Sequence, residues 1–266
     1  MKFTFLGTGG AFSRSHENFH NNVLIQTDSG KKLLIDCGGT ALESLDELGV
    51  DPLDIDGVIV THVHADHVGG LEELGFRGLF LGPKQKFDMY VPNLLVPSRA
   101  VVGYDSDVYP DLWYNCLKGG MVHIQDAEGN AVQADMDTYF NVHVSESPKD
   151  PIKVGGIKFI FVKTNHVPNK TSYGLVLESE TGTTVFFSAD STSERTVDLE
   201  AFDIVFHDCM FMPRYPATVH THFEEMVDLP ESVRKRTYLM HYGNPDNAPE
   251  DLQGMRLARK HQTFEL

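Results

Sequence analysis

Short apolar or alternating runs, each closed by glycine or polar residues, recur along the first part of the chain: "KFTFLG" from Lys2, "NNVLIQT" from Asn21, "KKLLIDCG" from Lys31 and "DGVIVTH" from Asp56. Runs of this length and punctuation predict successive strands. At residues 69–81, "GGLEELGFRGLFL" changes to helical spacing, with Leu71, Leu74 and Leu79 on related faces, and "FDMYVP" at 87–92 returns to strand character. A second series follows between residues 157 and 243: "IKFIFVKT", "YGLVLES", "TTVFFSAD", "FDIVFHD" and "RTYLMHYG", each ending in polar or ionisable residues. Strands dominate both halves, with helices between or after them. The pattern therefore predicts an α/β fold of two mixed β-sheets face to face with helices outside, a four-layer αβ/βα sandwich. The halves resemble each other in style, although no sequence repeat links them. Residues 84–150 are the least regular stretch, with "LWYNCLKGGM" read as helical and "DAEGNAVQADMD" as a loop or hairpin. They are expected to elaborate a single domain spanning residues 1–266.

Charge and cysteine content narrow the setting. Acidic residues outnumber basic ones 38 to 22, a formal charge of −16, so no general attraction to nucleic acid or anionic lipid is expected. Three cysteines, Cys37, Cys116 and Cys209, lie far apart, which argues against a disulfide framework or a cysteine zinc knuckle and fits a reducing cytoplasm. "MKFTFLGTGG" reads as strand and turn rather than a signal peptide, and no segment approaches membrane-spanning length. A soluble, cytoplasmic protein with no membrane partner is expected.

The densest chemistry is "THVHADHVGG", residues 61–70. His62 and His64 alternate as on an extended strand end, so their rings point the same way, while Asp66 and His67 lie one turn on and face a neighbouring point. That arrangement suits two metals rather than one. Further ligands should stand where other apolar runs end, and His166 after "KFIFVKTN", Asp190 after "TVFFSA" and His241 after "TYLM" meet that description. Each alone is also consistent with a cap or turn residue. Jointly they indicate a metal centre, because clustered histidines and acids have no packing reason to converge.

At these residues the chain resembles the metallo-β-lactamase superfamily: "HVHADH" fits the H-x-H-x-D-H motif, followed in order by His166, Asp190 and His241. The resemblance covers nearly the whole chain and implies that His62, His64 and His166 hold one divalent metal, Asp66, His67 and His241 the other, and Asp190 bridges both. It implies zinc, with manganese or iron open, since mixed nitrogen and oxygen ligands do not choose sharply among first-row metals. Hydrolases of lactams, thioesters and phosphodiesters share the scaffold, so the reaction needs more residues. "DIVFHDCMF" and "ATVHTHFEEM" resemble the two signatures of the tRNA 3′-processing endonuclease branch, ribonuclease Z, in which an acidic residue orients a proton-donating histidine. Those roles fall on Asp208, which replaces the usual glutamate, and on His220, with His222 as a second candidate. A histidine tuned by a carboxylate suits protonation of a departing alkoxide.

A tRNA endonuclease must hold a large polyanion, yet residues 84–150 contain five Lys or Arg against ten Asp or Glu. A small phosphodiester is favoured instead. The arrangement of "LWYNCLKGGM" and "DTYFNV" before "TNHVPNKTSYGL" is similar to that of compact cyclic nucleotide phosphodiesterases, including phage anti-Pycsar proteins that degrade 3′,5′-cyclic CMP and UMP. The resemblance implies hydrolysis to 5′-monophosphates, a homodimer, and the host cytoplasm where the gene is phage-borne. A tRNA 3′ endonuclease is the alternative, and a glyoxalase-type thioesterase leaves Asp208 and His220 without a clear role. A metal-stabilised binding protein would have little need for the complete ligand set. Trp113, Tyr114, Tyr139, Tyr173 and Tyr242 are available to stack on a base, or else belong to core or dimer interface. "GTGG" at 7–10 reads as a tight turn, and Cys37 as structural.

Overall fold

In the computed structural model, which describes residues 1–81, 86–94, 107–126, 128–168, 170–193, 197–212 and 219–266, the strand series resolves into two seven-stranded sheets. The first half supplies β1 (Lys2–Phe5), β2 (Val23–Gln26), β3 (Lys32–Ile35), α1 (Ala41–Glu47), β4 (Gly57–Ile59), α2 (Ala65–Val68), α3 (Leu71–Phe76) and β5 (Phe87–Pro92). Short helices α4 (Val108–Asp111), α5 (Lys118–Met121) and α6 (Met136–Tyr139) then flank a hairpin of β6 (His123–Gln125) and β7 (Ala131–Gln133) before β8 (Phe140–Ser145). The second half supplies β9 (Ile152–Val154), β10 (Ile157–Thr164), β11 (Ser172–Glu178), β12 (Thr184–Phe187), β13 (Ile204–Asp208), α7 (Phe223–Val227), α8 (Glu231–Arg234), β14 (Thr237–Met240) and β15 (Arg256–Leu257). A last strand, β16 (Thr263–Glu265), returns to pair with β1.

The spatial orders are β16-β1-β2-β3-β4-β5-β8 and β15-β14-β13-β12-β11-β10-β9. Each sheet has three antiparallel pairings followed by three parallel ones, counted from β16 in the first and from β9 in the second. The likeness between the halves is thus one of strand direction. The stretch at 84–150 contains two paired strands of the first sheet, β5 and β8, and the insertion is what lies between them. "DAEGNAVQADMD" supplies one arm of the β6–β7 hairpin, its turn closed by the Asp126 side chain accepting from the Glu128 and Asn130 N–H groups. The helical spacing at 69–81 gives α3 and then a wider turn over Arg77–Leu81, and "LWYNCL" likewise opens into a wide turn ahead of α5.

Alternation along the strands decides which sheet face meets which layer. Phe187 points inward with Phe206, where they meet Phe3 and Phe5 from the other sheet: the Phe3 and Phe206 rings stack at 4.8 Å and Phe5 meets Phe206 edge-on at 5.1 Å. Phe186, Val205 and Leu239 point outward and bury against Leu199, Met226 and Val233. On the other sheet α1 and α3 bury Leu42, Leu45, Leu71 and Leu74. The layer order is therefore helix, sheet, sheet, helix, as the binary pattern predicts. Among the described residues no helix is long and apolar enough to cross a membrane.

The aromatic stack ties the two sheets, and its loss leaves a cavity between them. Phe206→Ala is expected to lower the unfolding free energy by about 3–5 kcal/mol and Phe206→Leu by less, measured by urea denaturation. An unchanged midpoint in the alanine variant would show that the sheets are held together elsewhere.

Candidate active site

The parallel strands of both sheets run out at one rim, and the polar residues that follow them meet there. β4 continues through Val60 and Thr61 to His62 and His64; His64 then stands at the N-terminal boundary of α2, which carries Asp66 and His67. His166 follows β10, Asp190 follows β12, Asp208 closes β13 and His241 follows β14. His62, His64, His166 and Asp190 bring one ligand atom each within 4.8 Å of one another, and so do Asp66, His67, Asp190 and His241. A third such group, Asp190, Asp208, His220 and His241, adjoins them. The seven expected ligand residues thus converge in two sets that share Asp190, and Asp208 and His220 join them through the third group.

Spacing fits divalent cations, and in the first set so does protonation. His64 Nδ1 lies 3.1 Å from both His62 Nε2 and His166 Nε2, and nitrogens sharing a tetrahedral cation at about 2.0–2.1 Å sit roughly 3.3 Å apart. Burial and the neighbouring imidazoles hold His62 well below its usual pKa and bring His64 down to about 4; burial likewise lowers His166. The three rings are therefore neutral, with lone pairs to share. Asp190 faces both sets: its Oδ1 is 3.2 Å from His67 Nε2, and its Oδ2 is 3.3, 3.6 and 3.7 Å from His241, His166 and His62 Nε2. Burial works against the charge on Asp66, but His67 and His241 outweigh it and hold the carboxyl well below its usual range. His67 Nε2, Asp190 Oδ1 and Asp208 Oδ1 are buried without a hydrogen-bond partner. Buried polar atoms are seldom left so, and a cation held by the second set would satisfy His67 Nε2 and Asp190 Oδ1.

Two buried carboxylates set the rings. Asp36, at the end of β3, accepts the His67 Nδ1–H on Oδ2 at 2.7 Å. The same Oδ2 accepts the Thr61 hydroxyl at 2.7 Å, and Thr61 Oγ1 lies 3.1 Å from His62 Nδ1. One carboxylate therefore orients a histidine of each set, directing both Nε2 atoms inward. On the other side His166 Nδ1 is fixed by the Val219 carbonyl at 2.7 Å. Asp208 accepts from His220 Nδ1 at 2.7 Å and from the Ser191 N–H at 2.9 Å, and lies 3.6 Å from His241 Nδ1. Burial opposes the imidazolium of His220, but the Asp208 carboxylate outweighs it and pushes the pKa up to about 9. His222 lies elsewhere in the network: it begins α7, where its N–H donates to Glu225 Oε2 at 2.9 Å.

Asp36 and Thr61 were not among the residues singled out, although Asp36 in "LIDCG" carries the signal used for Asp190, an acid directly after an apolar run. Cys37 is fully buried, and burial pushes its thiol well up, as a structural cysteine requires. Of the aromatic candidates, Tyr139 and Tyr173 are core, their hydroxyls donating to the Met121 carbonyl and to Asp107. Trp113 packs half-buried against the core and Tyr114 is exposed beneath Lys118. Tyr242 lines a pocket beside His241, together with Phe12, an aromatic the sequence pattern did not single out. "GTGG" is irregular rather than a tight turn, with Gly9 bridging His20 and the turn following at Gly10–Ser13. Its glycines allow close approach, since a Cβ on Gly7 would come 2.1 Å from the Phe19 carbonyl oxygen and one on Gly10 3.1 Å from the His241 ring.

A family model described as anti-Pycsar protein Apyc1 matches residues 1–264. The chain is 32% identical over 271 residues to anti-Pycsar protein Apyc1 of Paenibacillus harenae, with 100% of both chains covered. It is 33% identical over 275 residues to the protein of that name from Bacillus phage 010DV004, covering 100% of this chain and 98% of the other. In fold it is similar to the metallo-β-lactamase fold protein YhfI from Bacillus subtilis, with a TM-score of 0.69 at 20% identity over 99% and 98% of the two chains. The two mixed sheets with outer helices are the metallo-β-lactamase fold.

Asp36 supports ligands in both sets, so Asp36→Ala is expected to weaken retention of divalent metal about ten- to a hundredfold. Competition against a chromogenic chelator measures this. Unchanged retention would show that His62 and His67 are oriented without it.

Proposed function

Because the chain belongs to the anti-Pycsar Apyc1 family, we propose that it is a dinuclear metal-dependent phosphodiesterase that opens 3′,5′-cyclic mononucleotides to 5′-monophosphates. Cyclic CMP and UMP are the primary substrates in this reading, with cyclic AMP and GMP alongside. The observation that carries it is the double set of ligands around Asp190 with the Asp208–His220 pair directly beside it. His62, His64 and His166 hold one cation, Asp66, His67 and His241 the other, and Asp190 is common to both. Zinc is the proposed occupant and manganese the alternative. When bound, such a pair of cations makes water nucleophilic at neutral pH and offsets charge on the phosphoryl oxygens.

The chain's own part is to orient the diester and supply the proton. His220 donates to the ribose 3′ oxygen as its bond to phosphorus breaks, and the new phosphorus–oxygen bond comes from water, leaving the phosphate on the 5′ carbon. Asp208 favours the charged imidazole, so the donor is protonated near neutrality. The net charge of −16 supports a small substrate over tRNA, because a mononucleotide needs only the local positive field of a loaded centre. In the same reading the enzyme works as a homodimer in a reducing cytoplasm. For a phage-borne gene that is the host's, where it would remove the cyclic nucleotide signal of Pycsar defence.

The test is hydrolysis of the four 3′,5′-cyclic nucleotides beside a 3′-extended pre-tRNA, with products identified by chromatography. Release of 5′-monophosphates is the expected outcome; cleavage of the pre-tRNA with inert cyclic nucleotides would overturn the reading. Asp190→Ala is expected to abolish turnover together with metal binding. For His220→Ala, kcat should fall about a hundred- to ten-thousandfold with metal content retained. A loss of that size in His222→Ala instead would reassign the donor.

A further inference from the structure

A pocket of about 540 Å³ adjoins the His220 and His241 side of the cluster, between the turn that follows β1 and the loop that follows β14. Asn18 ties these two segments together: its amide donates to the Gly243 carbonyl at 3.1 Å and to Thr8 Oγ1 at 3.0 Å, and its Oδ1 accepts from the Thr8 N–H at 3.2 Å. Gly10 lies against the His241 ring, so the pocket wall and the cluster are continuous. Such a volume falls within the range of small-molecule sites.

The lining chemistry is selective. Phe12, Met210 and Met212 supply apolar surface, Glu17 and Asp246 supply negative charge, and among the described lining residues there is no Lys or Arg. Away from the His220 and His241 side, a phosphate would meet the two carboxylates and no cationic side chain among the described lining residues. A ligand whose charged group belongs at the cluster would therefore direct its neutral part here. Phe12 is 98% exposed at the tip of its turn. A side chain this bare contributes almost nothing to the core, whereas its face is available to a flat ring. Methionine adapts to rings of different outline.

We propose that this pocket is the nucleoside subsite, with Phe12 stacking on the base and Met210 and Met212 forming its apolar wall. The assignment rests on the cyclic nucleotide reading and deepens it. Stacking tolerates any base, since each has a π-face, so this subsite supports activity on several cyclic nucleotides rather than one.

Steady-state kinetics on cyclic CMP in the wild type, Phe12→Ala and Phe12→Tyr test it, with thermal unfolding as the control for folding. Removing a stacked ring is expected to raise KM about tenfold with kcat little changed, as loss of binding common to ground and transition states requires. The tyrosine variant restores the wild-type KM, and all three melt together. Equal KM values in the three proteins would overturn the subsite while leaving the cyclic nucleotide reading intact. A KM that stays high in Phe12→Tyr would also overturn it, since stacking would be present without its effect. No turnover of any cyclic nucleotide by the wild type would instead remove the reading on which the subsite rests.

Discussion

Asp190 is a carboxylate with 1% of its surface exposed, and four imidazoles approach it within 3.7 Å. Burying an ionised carboxylate is costly unless opposite charge or hydrogen bonds surround it. The rim of the sandwich is arranged so that they do. Ala189, the residue before it, takes φ +48°, and Asp36 and His241 at two other strand ends take +61° and +60°. Left-handed backbone at non-glycine residues costs about 1–3 kcal/mol at each position and persists where the surroundings over-determine it. Here the parallel ladders do so: Phe187 pairs with Phe206 and Asp208 with Met240, fixing where β12, β13 and β14 stop. Strain is thus concentrated at the points where chain direction must change for a side chain to face the cluster.

The two carboxylates that orient the histidines, Asp36 and Asp208, occupy related places. Both are fully buried at strand ends, one in each sheet, and both accept from an imidazole Nδ1 at 2.7 Å. Asp36 sets His67 and, through Thr61, His62; Asp208 sets His220 and lies beside His241. The common device follows from the shared strand-direction pattern of the two sheets, since it brings parallel strand ends to one rim from both sides. It also explains how a strongly acidic chain builds a cation site without excess repulsion. Most of the negative charge is spread over the surface, whereas each carboxylate at the rim has an imidazole within hydrogen-bonding or ion-pair distance.

The pocket beside the cluster is built from different material. The ligand sets stand on strand ends and one short helix, but the adjoining pocket is made by the segment at 7–13 and the loop after β14, joined by Asn18. The glycines of "GTGG" allow that approach: any side chain at Gly7 would meet the Phe19 backbone, and one at Gly10 would press on His241. A tight turn thereby carries Phe12 to the edge of the site, although the turn itself contains no group suited to chemistry.

From the sequence alone came the strand alternation, the four layers and the identity of the clustered histidines and aspartates. Those signals are local, since period-two burial and the spacing of "HVHADH" lie within single elements. The order of His166, Asp190 and His241 after apolar runs was legible for the same reason. The tertiary structure decided what depends on distant parts of the chain. Asp36 meets His67 across 31 residues and His241 meets Asp66 across 175, so neither partnership has a local signature. The same holds for the contact of His220, rather than His222, with Asp208, and for Phe12, whose place in the pocket lined by His241 exists only once β1 and β14 are in separate sheets with their following loops joined. Residue type and spacing specify which groups could act together; only packing of the two sheets determines which atoms face one another.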